Sequence, residues 1–345
     1  VRFAPTEEQA AMRYALRELL ADVDSPAVTR AWARGDAAPG LAVWRRLADL
    51  GVTGALVPEA SGGLGLSEVE LVLVLDELGY AGLPGPYVES LAVVPVLLAG
   101  RDEPGRLAAV AEGRAVATAL LPPRVPRALD ADRADVLVRG STAEIALVGG
   151  SLTLESSVDG ARRLFLVDGP AVVVAEGAAA GRVVDAAFDG GALGCAAQLL
   201  GVGRRLLAMA VRHAGQRRQF GRPIGAFQAV QHQLADVLLR LEFAGPLVRG
   251  AAVALRDGTP FAARDVSSAK LAAGEAANAA ARTALQVHGA IGYTAEHELH
   301  LWLAKARALR SAWGTPGWHR DRVAASLATG ATAPIGAVDS RTGRE

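Results

Sequence analysis

Sustained helical periodicity in the C-terminal half constrains this chain more than any other feature. Apolar positions recur at helical spacing over 192–214, 226–256, 262–288 and 296–311. The two middle helices would each span about 45 Å at a rise of about 1.5 Å per residue. One of them carries Ala272, Ala273, Ala276, Ala277, Ala279, Ala280 and Ala281, side chains small enough to let backbones approach closely. Helices this long bury their apolar stripes only by lying side by side, so a four-helix bundle is expected, with Pro246 a candidate kink.

The N-terminal part reads as shorter helices. Thr6 and Gln9 have capping-box spacing and open a helix to about Val23, along which Ala10, Met12, Leu16 and Leu20 keep helical register. A second helix over 41–50 stops at Gly51, and a loop covers 57–65. Ser67 and Glu70 repeat the capping-box spacing before an apolar helix to Tyr80, and a further helix is expected over 90–98 after Pro84 and Pro86. Short Val/Ala/Leu runs at 115–121, 135–139, 144–149, 162–167 and 171–175 then predict a compact antiparallel β unit. The expected fold is mainly α with a small β domain. It comprises a helical domain at 1–114, a β domain at 115–186, a helical bundle at 187–326 and a flexible tail at 327–345.

Charge and cysteine content narrow the function classes. The 36 basic groups balance 36 acidic ones, which argues against nucleic-acid binding. Low net charge with 51% hydrophobic residues favours association between chains. Cys195 is the lone cysteine, so no disulfide forms within the chain. Its place at an Ala/Leu-rich helix start suits a core residue. The apolar runs 71–78 and 91–100 fall short of the roughly 20 residues of a membrane span. With no leader pattern at Val1–Gln9, a cytoplasmic location is expected.

One segment concentrates chemistry. In Gln216-Arg217-Arg218-Gln219-Phe220-Gly221-Arg222-Pro223-Ile224-Gly225-Ala226-Phe227-Gln228, three arginines crowd a turn between two long helices. Forked guanidinium donors suit phosphate oxygens, and the following helix start adds unpaired N–H groups and a positive dipole end. Phe220 can stack on a base, and Gln228 and Gln231 can bond a heteroaromatic edge. On chemistry alone the turn is either a solvated corner or a clamp for a diphosphate cofactor. His288, His297 and His300 lack the companion ligands of a metal site, and Gly62-Gly63-Leu64-Gly65 lacks the βαβ setting of a dinucleotide fingerprint.

Several motifs decide between these readings. Arg217-x-x-Phe220-Gly221-x-Pro223-Ile224-x-x-Phe227-Gln228 is followed by Gln231-His232-x-Leu234-Ala235-Asp236. Gln286-Val287-His288-Gly289-Ala290-Ile291-Gly292-Tyr293-Thr294 and Leu56-Val57-Pro58-Glu59 with Gly62-Gly63-Leu64-Gly65 complete the set. Through them the chain resembles the acyl-CoA dehydrogenase superfamily over nearly its whole length. The resemblance implies the helical, β, helical order and an FAD whose diphosphate and adenine lie against Arg217, Phe220 and Gln228. It brings Gln286 and Gly289 to the same end and adds Thr315 to the cofactor contacts. In that family these groups reach a flavin seated mainly on the neighbouring subunit.

The departures from the family matter as much. Its α-proton acceptor is a carboxylate, in most members the Glu of a Tyr-Glu-Gly-Thr stretch. Here that stretch is Ala312-Trp313-Gly314-Thr315, and the alternative position of the base is Gly191. The stretches that cradle the flavin ring are also lost, with Leu121 and Pro122 where Thr and Glu belong. No catalytic residue is therefore assigned.

The resemblance points to the truncated, non-catalytic subunit of bacterial heteromeric (α2β2) acyl-CoA dehydrogenases, including those acting on steroid-derived CoA thioesters. A complete partner subunit would share the FAD, an acyl-CoA would bind the shared site, and an electron-transfer flavoprotein would accept electrons. The alternatives are a self-sufficient enzyme using Asp189, Glu296 or Glu298 as a displaced base, and a non-redox acyl-CoA-binding protein. Trp313 and Trp318 are candidate plugs for the vacated substrate end.

Overall fold

The computed structural model describes residues 4–101 and 105–330. Helix α1 (Glu7–Ala21) starts at a complete Thr6/Gln9 capping box. It is followed by α2 (Ser25–Ala33), α3 (Ala38–Asp49) and α4 (Glu68–Ala81), the last opened by the Ser67/Glu70 capping box. The expected helix over 90–98 is a π-helical turn, Glu89–Val93, running into α5 (Val94–Leu98). The sequence reading missed α2 and the short α6 (Arg106–Ala111). In α2 the cue was Asp24, whose side chain caps Ala27 N ahead of a helix with Pro26 in its first turn.

The β unit holds seven short strands: β1 (Ala117–Leu120), β2 (Ala128–Leu129), β3 (Val136–Gly140), β4 (Glu144–Val148), β5 (Ser151–Glu155), β6 (Leu164–Asp168) and β7 (Ala171–Glu176). They form two sheets, ordered β1-β3-β4-β7 and β2-β6-β5. The pairings are antiparallel except β1 with β3, which run parallel, so the first sheet is mixed where an antiparallel one was expected.

Helix α7 (Ala178–Gln216) begins well before the expected 192, taking up residues that the sequence reading gave to the β domain. By length and composition it could cross a membrane, which the search for apolar runs missed because its glycines and arginines dilute them. In this structure it is a core helix, packed on α4, α8 (Gln228–Arg256) and α9 (Ala262–His288). Glycine makes the α4–α7 crossing possible. A Cβ at Gly201 would stand 1.9 Å from Asp76 O, and one at Gly79 would stand 2.3 Å from Gln198 O. Beside this crossing the buried Glu77 carboxylate ties three helices, meeting Arg13 at 2.6 Å, Arg17 at 2.8 Å and Arg204 at 3.3 Å. Pro246 lies within α8, which stays a single helix.

Helix α10 (Leu299–Ser311) and α11 (Pro316–Gly330) complete the bundle region. Helix α11 includes 327–330, which were expected to belong to the tail; the rest of that tail lies outside the described residues. One continuous apolar core runs from Leu16 through the first sheet to Trp313.

Candidate functional site

Two separate places on α7 carry the residues singled out by sequence. At its C-terminal end, Arg217 is the C-cap and its N–H donates to His213 O at 2.8 Å. The chain reverses through a two-strand hairpin, β8 (Arg218–Gln219) with β9 (Arg222–Pro223), whose turn holds Phe220 at φ 50° and Gly221 at φ 78°. This geometry throws the Phe220 ring into solvent, 91% exposed. The Arg222 guanidinium stacks over Phe227, 4.2 Å from the ring centroid. Arg217 makes no ion pair among the described residues, and no side chain caps the first turn of α8, where Gln228 sits exposed.

A histidine stack brings the second motif to the same end. His213 on α7 lies over His288 on α9 with ring centroids 4.2 Å apart, and His297 packs edge-on against His288. Burial holds the His213 and His288 imidazoles below the ordinary histidine range, so they stack as neutral rings. Gly289, at positive φ, follows His288 directly, and Gln286 lies two residues before that histidine, exposed on α9. Free cations, an exposed aromatic and uncapped helix donors converge at the arginine turn. The set fits the anionic end of a dinucleotide.

The other place surrounds Gly191. Trp313, 3% exposed and held at φ 55°, lays its indole over that glycine; a Cβ at Gly191 would stand 2.4 Å from the ring. The two positions where the family would carry a base therefore face each other, and the indole fills the space between them. Phe188 packs on both Trp313 and Trp318. His319 Nε2 lies 2.9 Å from Trp313 O, and its Nδ1 lies 3.0 Å from Ser267 Oγ. Burial depresses this imidazole to about 4. Thr315 belongs to this corner and not to the arginine turn: its Oγ1 accepts from Trp318 N at 3.2 Å, opening α11. Of the three non-glycine residues with positive φ among the described residues, Phe220 and Trp313 fall one in each of these two places; the third is Asp130.

Sequence reading missed Glu89. It is 2% exposed, its Oε1 accepts from Trp313 Nε1 at 3.2 Å, and its Oε2 has no partner. Burial lifts its carboxyl above the usual range, with Arg162 acting in the opposite sense. The signal was a lone acid in the apolar run Tyr87-Val88-Glu89-Ser90-Leu91-Ala92, since buried carboxylates without a reason are rare. Of the substitute-base candidates, Asp189 lies at this corner but is held in a two-pronged ion pair with Arg322, whose guanidinium lies over Trp318; Glu296 and Glu298 lie just before α10.

The distance between the two places is decisive. Gly191 and Arg217 sit on one continuous helix, about 39 Å apart at about 1.5 Å per residue. A single flavin dinucleotide does not span that length, so the clamp and the Trp313 corner of one chain cannot serve the same cofactor.

This helical, β, helical order, with an arginine-rich turn at the corner of the bundle, is the architecture of the acyl-CoA dehydrogenases. The Acyl-CoA dehydrogenase N-terminal domain matches residues 6–106, and the C-terminal domain matches 180–328. The chain belongs to this family, whose members generally bind FAD. It is 32% identical to the Acyl-CoA dehydrogenase IpdE2 of Mycobacterium tuberculosis over 88% of this chain and 92% of that protein. Among solved structures, the Tcur3481-Tcur3483 steroid ACAD superposes with a TM-score of 0.84 at 23% identity, covering 95% of this chain and 99% of that one. The ChsE4-ChsE5 complex from Mycobacterium tuberculosis gives a TM-score of 0.80 at 24% identity, covering 95% and 99%.

Proposed function

We propose that this chain is the non-catalytic subunit of a heteromeric FAD-dependent acyl-CoA dehydrogenase, lending its arginine turn to a flavin seated on a complete partner subunit. The observation that carries this is the pairing of an open anion clamp at Arg217 with a sealed corner at Trp313 on the same helix. In the assembly, Arg217 and the first-turn donors of α8 would hold the diphosphate, and Phe220 and Gln228 would contact the adenine part. Gln286 and Gly289 would close the same end. FAD held there would supply the hydride acceptor for α,β-desaturation of an acyl thioester, and the base for the α proton would have to come from the partner, since this chain carries Trp313 and Gly191 at the two base positions. A steroid-derived acyl group is the substrate class favoured by the likeness to the steroid dehydrogenase, and likeness to a structure of an electron-transferring flavoprotein system supports such a flavoprotein as the acceptor.

An exposed apolar row supports association with another chain. Leu239, Phe243 and Leu247 recur every fourth residue on α8 and are 54%, 74% and 47% exposed. A continuous apolar face of this kind on a water-facing helix marks a contact surface. Likeness to the two-component ChsE4-ChsE5 complex points the same way. The test is to purify the chain alone and again after co-expression with a complete family member. Flavin is expected only in the second preparation; a fully flavinated chain that an acyl-CoA reduces without any partner would overturn the proposal.

A further inference from the structure

The middle of α7 borders a third place, which the flavin-sharing role leaves unused. There α1, α2, α4, α7 and α10 surround a cavity of about 490 Å³. Along α7 it lies about 20 Å from both Gly191 and Arg217, at about 1.5 Å per residue. Its apolar wall includes Leu20, Val23, Pro26 and Trp302, and its charged lining is Arg17, Glu77, Arg204 and Arg205.

The geometry of the ion pairs sets the sign of the charge. Glu77 is the carboxylate of this lining, and Arg13, Arg17 and Arg204 already hold it at 2.6, 2.8 and 3.3 Å. Asp76 beside it is taken by Arg204 at 3.2 Å and by Arg13 at 3.4 Å. Asp24, next to the rim, turns its carboxylate to Ala27 N. Arg205 has no such partner: it makes no ion pair and no hydrogen bond among the described residues, and its Nε is buried without an acceptor. Its guanidinium is held by two rings instead, 5.0 Å from the Trp302 centroid and 5.5 Å from that of Tyr80. Trp302 is fixed in turn, its Nε1 donating to Tyr80 O at 3.2 Å. Ring faces attract the cation but leave its N–H groups unpaired. The terminal nitrogens, unlike Nε, are not closed off, so a forked donor with no counter-charge faces an apolar-walled space.

We propose that this cavity binds a small organic monocarboxylate, its two oxygens on the Arg205 guanidinium and its hydrocarbon body against Leu20, Val23 and Pro26. The planar fork matches the two oxygens of a carboxylate. One unmatched cation suits one negative charge, whereas a phosphate monoester carries about −1.5 to −2 at pH 7. This site is independent of the flavin-sharing role.

The test uses the full chain, with cyclohexanecarboxylate and cyclohexylmethanol as probes that differ at the carboxylate, read by calorimetry. The acid is expected to bind about tenfold more tightly than the alcohol, the scale of one charge-assisted hydrogen bond. Arg205→Met should abolish that preference, and Arg205→Lys, which keeps the charge but loses the fork, should retain part of it. Ala21→Trp, at an exposed position on the rim, should block both probes while leaving Arg205 and the thermal melt unchanged. Inorganic phosphate should compete about tenfold less well than the acid. Equal binding of the two probes, no binding of either, a preference that survives Arg205→Met, unimpaired binding in Ala21→Trp, or phosphate competing as well as the acid would each overturn the proposal.

Discussion

The two ends of α7 have opposite characters. At Arg217 the chain spends cations, an aromatic ring and helix N–H groups on solvent, satisfying almost none of them internally. At Gly191 everything is packed: indole over glycine, histidine on the carbonyl of the next turn, carboxyl against indole. A self-contained enzyme needs the reverse, an open reacting centre. On the proposed reading, the unsatisfied end serves another molecule, while the sealed end is packed as core.

The largest effect expected from breaking the contrast is at the sealed end. Trp313→Ala removes a buried indole that touches Phe188, Gly191 and Glu89, and should cost about 3–5 kcal/mol of stability in urea unfolding. The loss of fold should not be accompanied by selective loss of flavin from the assembled complex. Arg217→Ala should do the opposite, leaving the melt unchanged while weakening flavin retention in the co-assembly by about 10–100-fold, the scale of one charge-assisted bond of about 1.5–3 kcal/mol. Gly191→Ala forces a methyl into the ring of Trp313 and should cost about 1–3 kcal/mol by the same unfolding measurement.

Titration adds a further test, through His319 at the sealed end and through Asp130, which is buried against Trp32. Asp130 is raised to about 7, so the folded state binds its proton more tightly than the unfolded chain does. Its contribution is full below about pH 4 and is lost as pH rises towards about 7, at up to about 1.4 kcal/mol per pH unit. Asp130→Asn should remove that decline in stability-versus-pH curves. His319, depressed to about 4, acts in the other direction: its contribution is present above about pH 6.5 and lost as pH falls towards about 4. His319→Gln should flatten the acid limb.

Legibility in the sequence followed how local each determinant is. The capping boxes at Thr6 and Ser67, the long C-terminal helices and the arginine turn were readable because a few neighbouring residues define them. Helix α11 was not among the expected helices, the last of which ended at 311; Pro316 occupies its first position. The early start of α7 was hidden because its first turns are held by packing on the sheet more than by periodicity. Substituting Trp313 and Gly191 for a base could be read by position, but their mutual contact could not. That contact, like the meeting of Glu89 with Trp313, joins residues far apart in the chain.

The most direct test of the account is the native mass and flavin stoichiometry of the assembly isolated from its own cells. The account predicts a complex of this chain with a complete acyl-CoA dehydrogenase-like subunit, holding one flavin for every two chains. An assembly made of this chain alone with one flavin per chain would contradict it.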